Sequence, residues 1–168
     1  TYKVHGYFTG SIENESTHPM YLGATNQFNQ AAELTAIVWA QLYMLSIFKI
    51  YPKMKYHIYT DSQWSIDMTT AYYAANSHYI LVKISQSLNM IIQQISNLQY
   101  HHVYSHKDSQ GDPFNDLVDK LCTAVQLNQL PLYSNIQNVL KRTSNPLYPY
   151  ININNIHYLE HFHLLYLP

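Results

Sequence analysis

The sequence predicts a mixed α/β fold in which helices flank a sheet. Strand-like and helix-like segments alternate along residues 1–126, residues 56–60 are rich in aromatic and β-branched side chains, and apolar residues recur at helical spacing between residues 81 and 95. Segments that alternate in this way are typical of helices packed on a sheet.

The predicted elements follow the order strand, strand, helix, strand, helix, helix, strand, helix. Two strands, at residues 3–9 and 20–24, are joined by a polar turn at residues 13–16. A helix at residues 30–48 carries an apolar stripe and ends before Pro52. The remaining elements are a strand at residues 56–60, helices at residues 63–74 and 81–95, a strand at residues 99–104, and a helix at residues 113–125 that Asp112 caps and Pro113 opens.

Composition limits the class of protein. A length of 168 residues with 47% hydrophobic content suits one domain, which we place at residues 1–126, followed by a tail at residues 127–168. The tail holds four of the seven prolines and almost no charge, has no clear period, and its role cannot be derived. A net charge of −1 provides no strong basic field for a nucleic acid.

The expected location is intracellular, in the cytoplasm or the nucleus. A single cysteine, Cys122, excludes an internal disulfide and fits a reducing compartment. No basic-then-apolar signal segment opens the chain. The longest apolar stretch, residues 36–50, is interrupted by Gln41, Ser46 and Lys49, so neither a membrane span nor a membrane partner is predicted.

Acidic residues are scarce, which makes their positions informative. Asp61 directly follows the strand at residues 56–60, and open α/β sheets bind ligands at the carboxyl ends of strands. Taken alone, Asp61 is better explained as an N-cap of the next helix. Glu33 lies in the first turns of an apolar helix, where the helix dipole favours an acid. Asp119 lies at the edge of an apolar helix face, where a solvated position is the alternative.

Together, the three carboxylates predict a metal site. One follows a strand and two lie on helices that can pack beside it, which makes a set of hard oxygen ligands suited to Mg²⁺. Burying them without a cation would be costly, because like charges repel. Other chemistries lack support: Cys122 has no triad arrangement, the four glycines form no phosphate loop, and no Cys or His spacing fits zinc.

Three segments resemble motifs of the ribonuclease H family. Residues 29–34, Asn-Gln-Ala-Ala-Glu-Leu, are similar to the family's helix motif Asn-Asn/Gln-Arg-Ala-Glu-Leu, and residues 60–63 are similar to its Thr-Asp-Ser-Gln strand end. Residues 105–119 are similar to its His-loop-Asn-x-x-x-Asp segment. The motifs agree in order and spacing over residues 4–126. Within the family they most resemble those of the ribonuclease H domain of retroelement polyproteins.

The resemblance implies a ribonuclease H-like mixed sheet and an endonuclease that hydrolyses the RNA strand of RNA–DNA hybrids by a two-metal mechanism. It implies two Mg²⁺ ions, with Mn²⁺ as a substitute, held by Glu33, Asp61 and Asp119, while His106 assists proton transfer or product release. The implied partners are the hybrid and a reverse transcriptase domain of the same polyprotein. The side chains implied to contact nucleic acid are Asn29, Gln30, Ser62, Gln63 and Asn115.

The resemblance breaks near the start of the chain. Ala31 stands where the family has Arg, and the family's first metal ligand, an Asp at the end of its first strand, has no counterpart before Glu33. The earlier acids are Glu13 and Glu15, in the predicted turn. Either residues 4–8 are the family's second strand and the first strand is missing, which we favour, or residues 8–11 are a damaged Asp-Gly-Ser segment with its Asp deleted.

This departure leaves two functions open. An in-frame strand ending in Asp upstream of Thr1 would support an active enzyme. Otherwise we expect a catalytically impaired remnant of a retroelement polyprotein that acts as a nucleic-acid-binding or structural module, because three carboxylates hold metal and water less well than four. Strands next to the missing one would also lose backbone partners. Another nuclease or an integrase-like member of the same fold is a third alternative.

Overall fold

The computed structural model describes residues 7–9, 12–18, 21–48, 52–105, 112–129 and 133–134. Within these residues the chain is mixed α/β, as predicted. The elements, in chain order, are β1 (Tyr7–Phe8), α1 (Asn29–Ile47), β2 (Tyr56–Thr60), α2 (Gln63–Thr69), α3 (Tyr79–Ile95), β3 (Leu98–His102), α4 (Pro113–Gln126) and β4 (Tyr133–Ser134).

Strands β2 and β3 form a parallel pair, and its carboxyl end carries the candidate site. Tyr56 lies opposite Leu98, and Thr60 lies opposite His102. Along β2, side chains alternate between buried and exposed, with Tyr56, Ile58 and Thr60 on the buried side. A parallel pair needs a long connection between its strands, and α2 and α3 provide it. Strands β1 and β4 form a separate antiparallel pair.

Helices α1 and α3 pack against each other and, with β2 and β3, enclose the core. Burying apolar side chains is the main favourable contribution to folding, about 1.5–3 kcal/mol for each large one. Helix α4 is more peripheral, since none of its described side chains is fully buried. The largest fully buried apolar side chains of the core are Leu34, Val38, Leu45, Leu81, Leu88 and Ile92.

A buried polar network links α1, α3 and β3. Gln41 is fully buried, and its side-chain amide donates to the carbonyl of Ser85 and to the hydroxyl of Tyr100, each at 3.0 Å. Tyr100 donates in turn to Asn89 Oδ1 at 3.0 Å, and burial raises the pKa of Tyr100 to about 12. Because buried polar groups are costly when unpaired, this network favours one arrangement of the helices on β3.

Helices α2 and α4 end in the same type of hydrogen-bonded turn. At the end of α2, the backbone N–H of Tyr72 donates to the Asp67 carbonyl at 2.9 Å, and that of Ala71 donates to the Met68 carbonyl at 3.3 Å. Ala71 adopts a φ of 59°, so this is a Schellman motif with a left-handed residue after the cap. At the end of α4, Asn128 takes the same position with a φ of 56°.

Most of the predicted elements in the described residues are confirmed. The strand at residues 56–60 has the predicted bounds, and Asp112 caps α4, with Pro113 in its first turn. The helices predicted at residues 30–48 and 81–95 differ from α1 and α3 by one or two residues at their ends. The strand predicted at residues 99–104 is Leu98–His102. In the described part of the chain, no helix has the length and apolar character needed to cross a membrane.

Two predictions of secondary structure are wrong. Residues 21–24, the described part of the strand predicted at residues 20–24, are irregular. They are apolar because Tyr21, Leu22 and Ala24 are buried, and Gly23 lies against the first turn of α3. The helix predicted at residues 63–74 ends at Thr69, because the chain enters the left-handed turn described above. Of the strand predicted at residues 3–9, Tyr7–Phe8 is a strand and residues 3–6 lie outside the described residues.

Candidate metal centre

Glu33 is a partly buried carboxylate near the start of α1. Burial raises the pKa of Glu33 above its ordinary value, the charges of Asp61 and Asp119 raise it further, and a hydrogen bond from Thr60 lowers it. An interaction with the helix dipole alone would lower this pKa, so the dipole does not explain the position of Glu33. The fold disfavours the charge of Glu33 and brings both other candidate carboxylates within electrostatic range of it.

The side chain of Thr60, at the end of β2, acts on Glu33. Thr60 is buried, and it lowers the pKa of the Glu33 carboxyl. Its Oγ1 also accepts a hydrogen bond from the backbone N–H of Ser62 at 3.1 Å. The carbonyl of Thr60 accepts from the N–H of Val103 at 2.9 Å, which continues the pairing of the two strands. These bonds fix the strand end from which Asp61 projects.

Ser62, and not Asp61, caps helix α2. The Ser62 side chain accepts a hydrogen bond from the backbone N–H of Ser65 at 3.3 Å and bonds the Ser65 hydroxyl at 2.8 Å. The N-cap explanation of Asp61 is therefore wrong. The backbone carbonyl of Asp61 accepts a hydrogen bond from Nε2 of His102 at 3.2 Å, which ties the end of β3 to this turn. The Asp61 carboxylate lies in range of Glu33 without being used as a cap.

Asp119 and Cys122 lie one turn apart on α4 and belong to the same region. Burial raises the pKa of the Cys122 thiol, and the charges of Asp119 and Glu33 raise it further. Asp119 itself is exposed. Because Cys122 and Glu33 both experience the charge of Asp119, α4 contributes to the same negatively charged region as α1 and the end of β2.

These carboxylates are chemically suitable ligands for Mg²⁺, but they do not enclose a single metal position. Within the described part of the chain, no three His, Cys, Asp or Glu side chains lie close enough to hold one metal ion. The charges that raise the pKa of Glu33 are nonetheless both negative, and a hard divalent cation bound by carboxylate oxygens would relieve this repulsion. Glu33, Asp61 and Asp119 are the residues that would hold it.

The other predicted site residues have different surroundings. Asn29 and Gln30 are exposed in the first turn of α1, one turn from Glu33. Gln63 is exposed at the start of α2, and its amide hydrogen-bonds within that helix. The side-chain nitrogen of Asn115 is buried without a hydrogen-bond partner. His106 lies outside the described residues.

Thr60 and His102 belong to the same region and were not predicted as site residues from the sequence. Thr60 could have been found, because side chains alternate along a strand and Thr60 shares the buried side of β2 with Ile58. No pattern distinguishes His102 from the other histidines, of which the chain has ten in total.

The described residues form a mixed α/β fold in which the charges of Asp61, after a strand, and Asp119, on α4, both act on Glu33. Comparison with protein families gives a finer result: the RNase H model matches residues 4–126, which include α1, β2 and α4. The chain belongs to the RNase H family. Members of this family are typically hybrid-specific ribonucleases that use Mg²⁺. No curated protein and no solved structure gives a significant match.

Proposed function

We propose that this chain is a ribonuclease H-type endonuclease that hydrolyses the RNA strand of RNA–DNA hybrids with Mg²⁺. One observation carries the proposal: burial, Asp61 and Asp119 all raise the pKa of Glu33. An acid whose pKa is raised by burial and by neighbouring acids is typical of sites that bind a cation or transfer protons. Membership of the RNase H family supports the same chemistry.

The proposed catalytic residues would perform two tasks. Glu33, Asp61 and Asp119 would hold the two ions, for which Mn²⁺ can substitute, and His106 would move a proton or assist product release. When bound, the ions stabilise the charge that develops on the phosphate and make the attacking water more acidic. Thr60, which lowers the pKa of Glu33, would favour the charged form of this carboxylate.

The start of α1 would recognise the hybrid. Asn29 and Gln30 are exposed one turn before Glu33, so their amides can donate to and accept from the 2′-hydroxyl groups of the minor groove, which distinguish RNA from DNA. Gln63, exposed two residues after Asp61, would contact the nucleic-acid backbone. Ser62 uses its hydroxyl as the helix cap, and the Asn115 amide nitrogen is buried, so these two residues would support the site more than contact the nucleic acid.

The test is cleavage of an end-labelled RNA–DNA hybrid by the full chain in Mg²⁺, with a DNA duplex and a chelator as controls. We expect cleavage of the hybrid alone. Glu33→Gln and Asp61→Asn should each lower the rate about 100-fold or more, since changes even outside a metal's direct ligands typically cost about 10–100-fold. Glu15→Gln is the matched control, because Glu15 is an exposed acid in a turn, and it should cleave like the parent chain. Equal activity in all three variants would refute the proposed site.

A second function is favoured by one observation. Within the described residues no three potential ligands are close enough to hold a metal ion, which suits a catalytically impaired module of a retroelement polyprotein. Such a module would bind the hybrid or support a neighbouring reverse transcriptase domain. Hybrid binding by the parent chain without Mg²⁺-dependent cleavage would identify it.

A further inference from the structure

Tyr104 is an exposed aromatic residue at the end of the β2–β3 pair that carries the candidate site. It follows β3, where the backbone N–H of Val103 donates to the Thr60 carbonyl at 2.9 Å and continues the pairing of the two strands. Tyr104 is 72% exposed. The fold therefore brings a large, solvent-facing ring to the strand end that precedes Asp61.

Tyr104 is connected to this strand end through His102. The rings of Tyr104 and His102 meet edge to face, with centroids 5.5 Å apart and an interplanar angle of 80°. Nε2 of His102 donates in turn to the backbone carbonyl of Asp61 at 3.2 Å. One aromatic contact and one hydrogen bond thus join the Tyr104 ring to the backbone of a candidate metal ligand.

His102, which the Tyr104 ring contacts, lies on the same side of the sheet as the side chain that acts on Glu33. His102 is opposite Thr60 in the register of the parallel pair, and opposite residues share a side of the sheet. Thr60 is on the buried side of β2 and lowers the pKa of Glu33. Tyr59 is also exposed but lies on the other side of β2. Tyr104 is therefore the exposed tyrosine that accompanies the carboxylates.

A neutral donor at this position suits the backbone of a nucleic acid. The three candidate carboxylates form a negatively charged region, and the chain has a net charge of −1. Lys120, next to Asp119 in the chain, is engaged in an ion pair with Asp116 at 2.6 Å. Hydroxyls and amides, as well as cations, donate to the phosphate and sugar oxygens of nucleic acids. The hydroxyl of Tyr104 is such a donor.

We propose that Tyr104 contacts the sugar–phosphate backbone of a nucleic-acid strand at the candidate site, with its hydroxyl donating to a phosphate oxygen and its ring packing on a sugar. This role rests on the proposed function, because the bound strand is one of the two strands of the RNA–DNA hybrid. It adds a neutral contact beside the metal ligands to those proposed for Asn29 and Gln30. Because backbone contacts carry no sequence information, Tyr104 should raise affinity for all sequences alike.

The test is binding of a fluorescein-labelled RNA–DNA hybrid by the full chain, measured by fluorescence anisotropy with Ca²⁺ in place of Mg²⁺ and with a gel to check that the hybrid stays intact. Tyr104→Ala should weaken binding about threefold to tenfold, as expected when one hydrogen bond and its packing are lost. Tyr104→Phe keeps the ring and should fall between Tyr104→Ala and the parent chain. The dependence of affinity on salt should not change, since a neutral contact releases no counterions.

Tyr72→Ala is the matched control. Tyr72 is also 72% exposed, but it follows α2 at the end of that helix remote from Ser62. This variant should bind the hybrid like the parent chain. Circular dichroism checks that each variant folds, and if Tyr104→Ala does not, parent-like binding by Tyr104→Phe would overturn the proposed contact.

Failure of this contact is distinguishable from failure of the proposed function. Parent-like binding by Tyr104→Ala, an equal loss in Tyr72→Ala, or an altered salt dependence in Tyr104→Ala would overturn the contact and leave the nuclease proposal in place. Weaker binding by Tyr104→Ala, in a chain that binds the hybrid without cleaving it in Mg²⁺, would support the contact and refute the nuclease activity. Absence of hybrid binding by the parent chain would overturn both.

Discussion

The side chain of Thr60, at the end of β2, acts on the Glu33 carboxyl near the start of α1 and lowers its pKa. A hydrogen bond to the charged form of an acid lowers its pKa. Thr60 thereby offsets part of the effect of burial, Asp61 and Asp119 on Glu33. The hydroxyl oxygen of Thr60 also accepts a hydrogen bond from the backbone N–H of Ser62. This bond spans Asp61 and restricts the backbone there.

Replacing Thr60 with Val should raise the pKa of Glu33, because the substitution removes the donor and keeps the branched shape. The Ser62 N–H also loses its acceptor, which should lower the free energy of unfolding by about 1–3 kcal/mol if that group stays buried. NMR titration of the Glu33 carboxyl carbon measures the first effect, and chemical denaturation measures the second. Thr60→Ser retains the hydroxyl and is the matched control. An unchanged Glu33 pKa in Thr60→Val would show that the hydrogen bond has no effect.

Glu33 should make the folded chain less stable as the pH rises. Its folded-state pKa lies above the ordinary value of 4.5, so the folded state binds this proton more tightly than the unfolded state. Its favourable contribution is complete below pH 4.5 and is lost as the pH rises through the raised pKa. Without metal at neutral pH, Glu33→Gln should therefore unfold at a higher denaturant concentration than the parent chain, and the difference should disappear near pH 4. Equal stability at both pH values would contradict this explanation.

Cys122 should report metal binding directly. Its raised pKa reduces the thiolate fraction at a given pH, and part of that shift comes from the charges of Asp119 and Glu33. A cation bound by these acids would offset their charge, so Mg²⁺ should accelerate reaction of Cys122 with a thiol reagent at pH 8. Because the chain has one cysteine, the measured rate of thiol modification reports on Cys122 alone. Sodium chloride at the same ionic strength controls for screening, and a rate that responds equally to both salts would argue against a local ion.

The turn before α1 should not tolerate a side chain at Gly23. This residue has a φ of 101°, and a Cβ there would lie 2.5 Å from Ile80 Cγ2 and 2.6 Å from the Leu81 backbone nitrogen. Gly23→Ala should therefore lower the free energy of unfolding by about 1–3 kcal/mol or more. Ala71→Gly is the opposite control, because Ala71 already has a φ of 59° and glycine relieves that strain. Thermal unfolding of both variants tests the pair, and a parent-like Gly23→Ala would contradict the close packing.

The sequence predicted the start of α4 and the bounds of β2 correctly, because characteristic residue types mark both. Asp112 and Pro113 define the start of α4, and the aromatic and β-branched run defines β2. The end of α2 could not be predicted, because Ala71 takes a left-handed conformation usually given to glycine. Nor could residues 21–24 be distinguished from a strand, since a short apolar run looks the same whether it pairs or packs in a loop.

The sequence indicated which acids are candidates for the site, but not the distances between them. The motifs around Glu33, Asp61 and Asp119 selected three acids from different elements, and the structure places all three in one electrostatic region. The distances between them depend on where α1 and α4 lie relative to β2, which is set by contacts between residues far apart in sequence. The role of Ser62 as the cap of α2 depends on a single rotamer and backbone angle, so the sequence favoured Asp61 for it instead.

The central claim is that Glu33 and Asp61 bind Mg²⁺, and calorimetric titration of the folded chain with Mg²⁺ tests it most directly. We predict binding by the parent chain and by Glu15→Gln. Affinity should fall about tenfold or more in Glu33→Gln and in Asp61→Asn, as expected when a direct ligand is lost. A Mg²⁺ affinity that is the same in Asp61→Asn as in Glu15→Gln would contradict the claim.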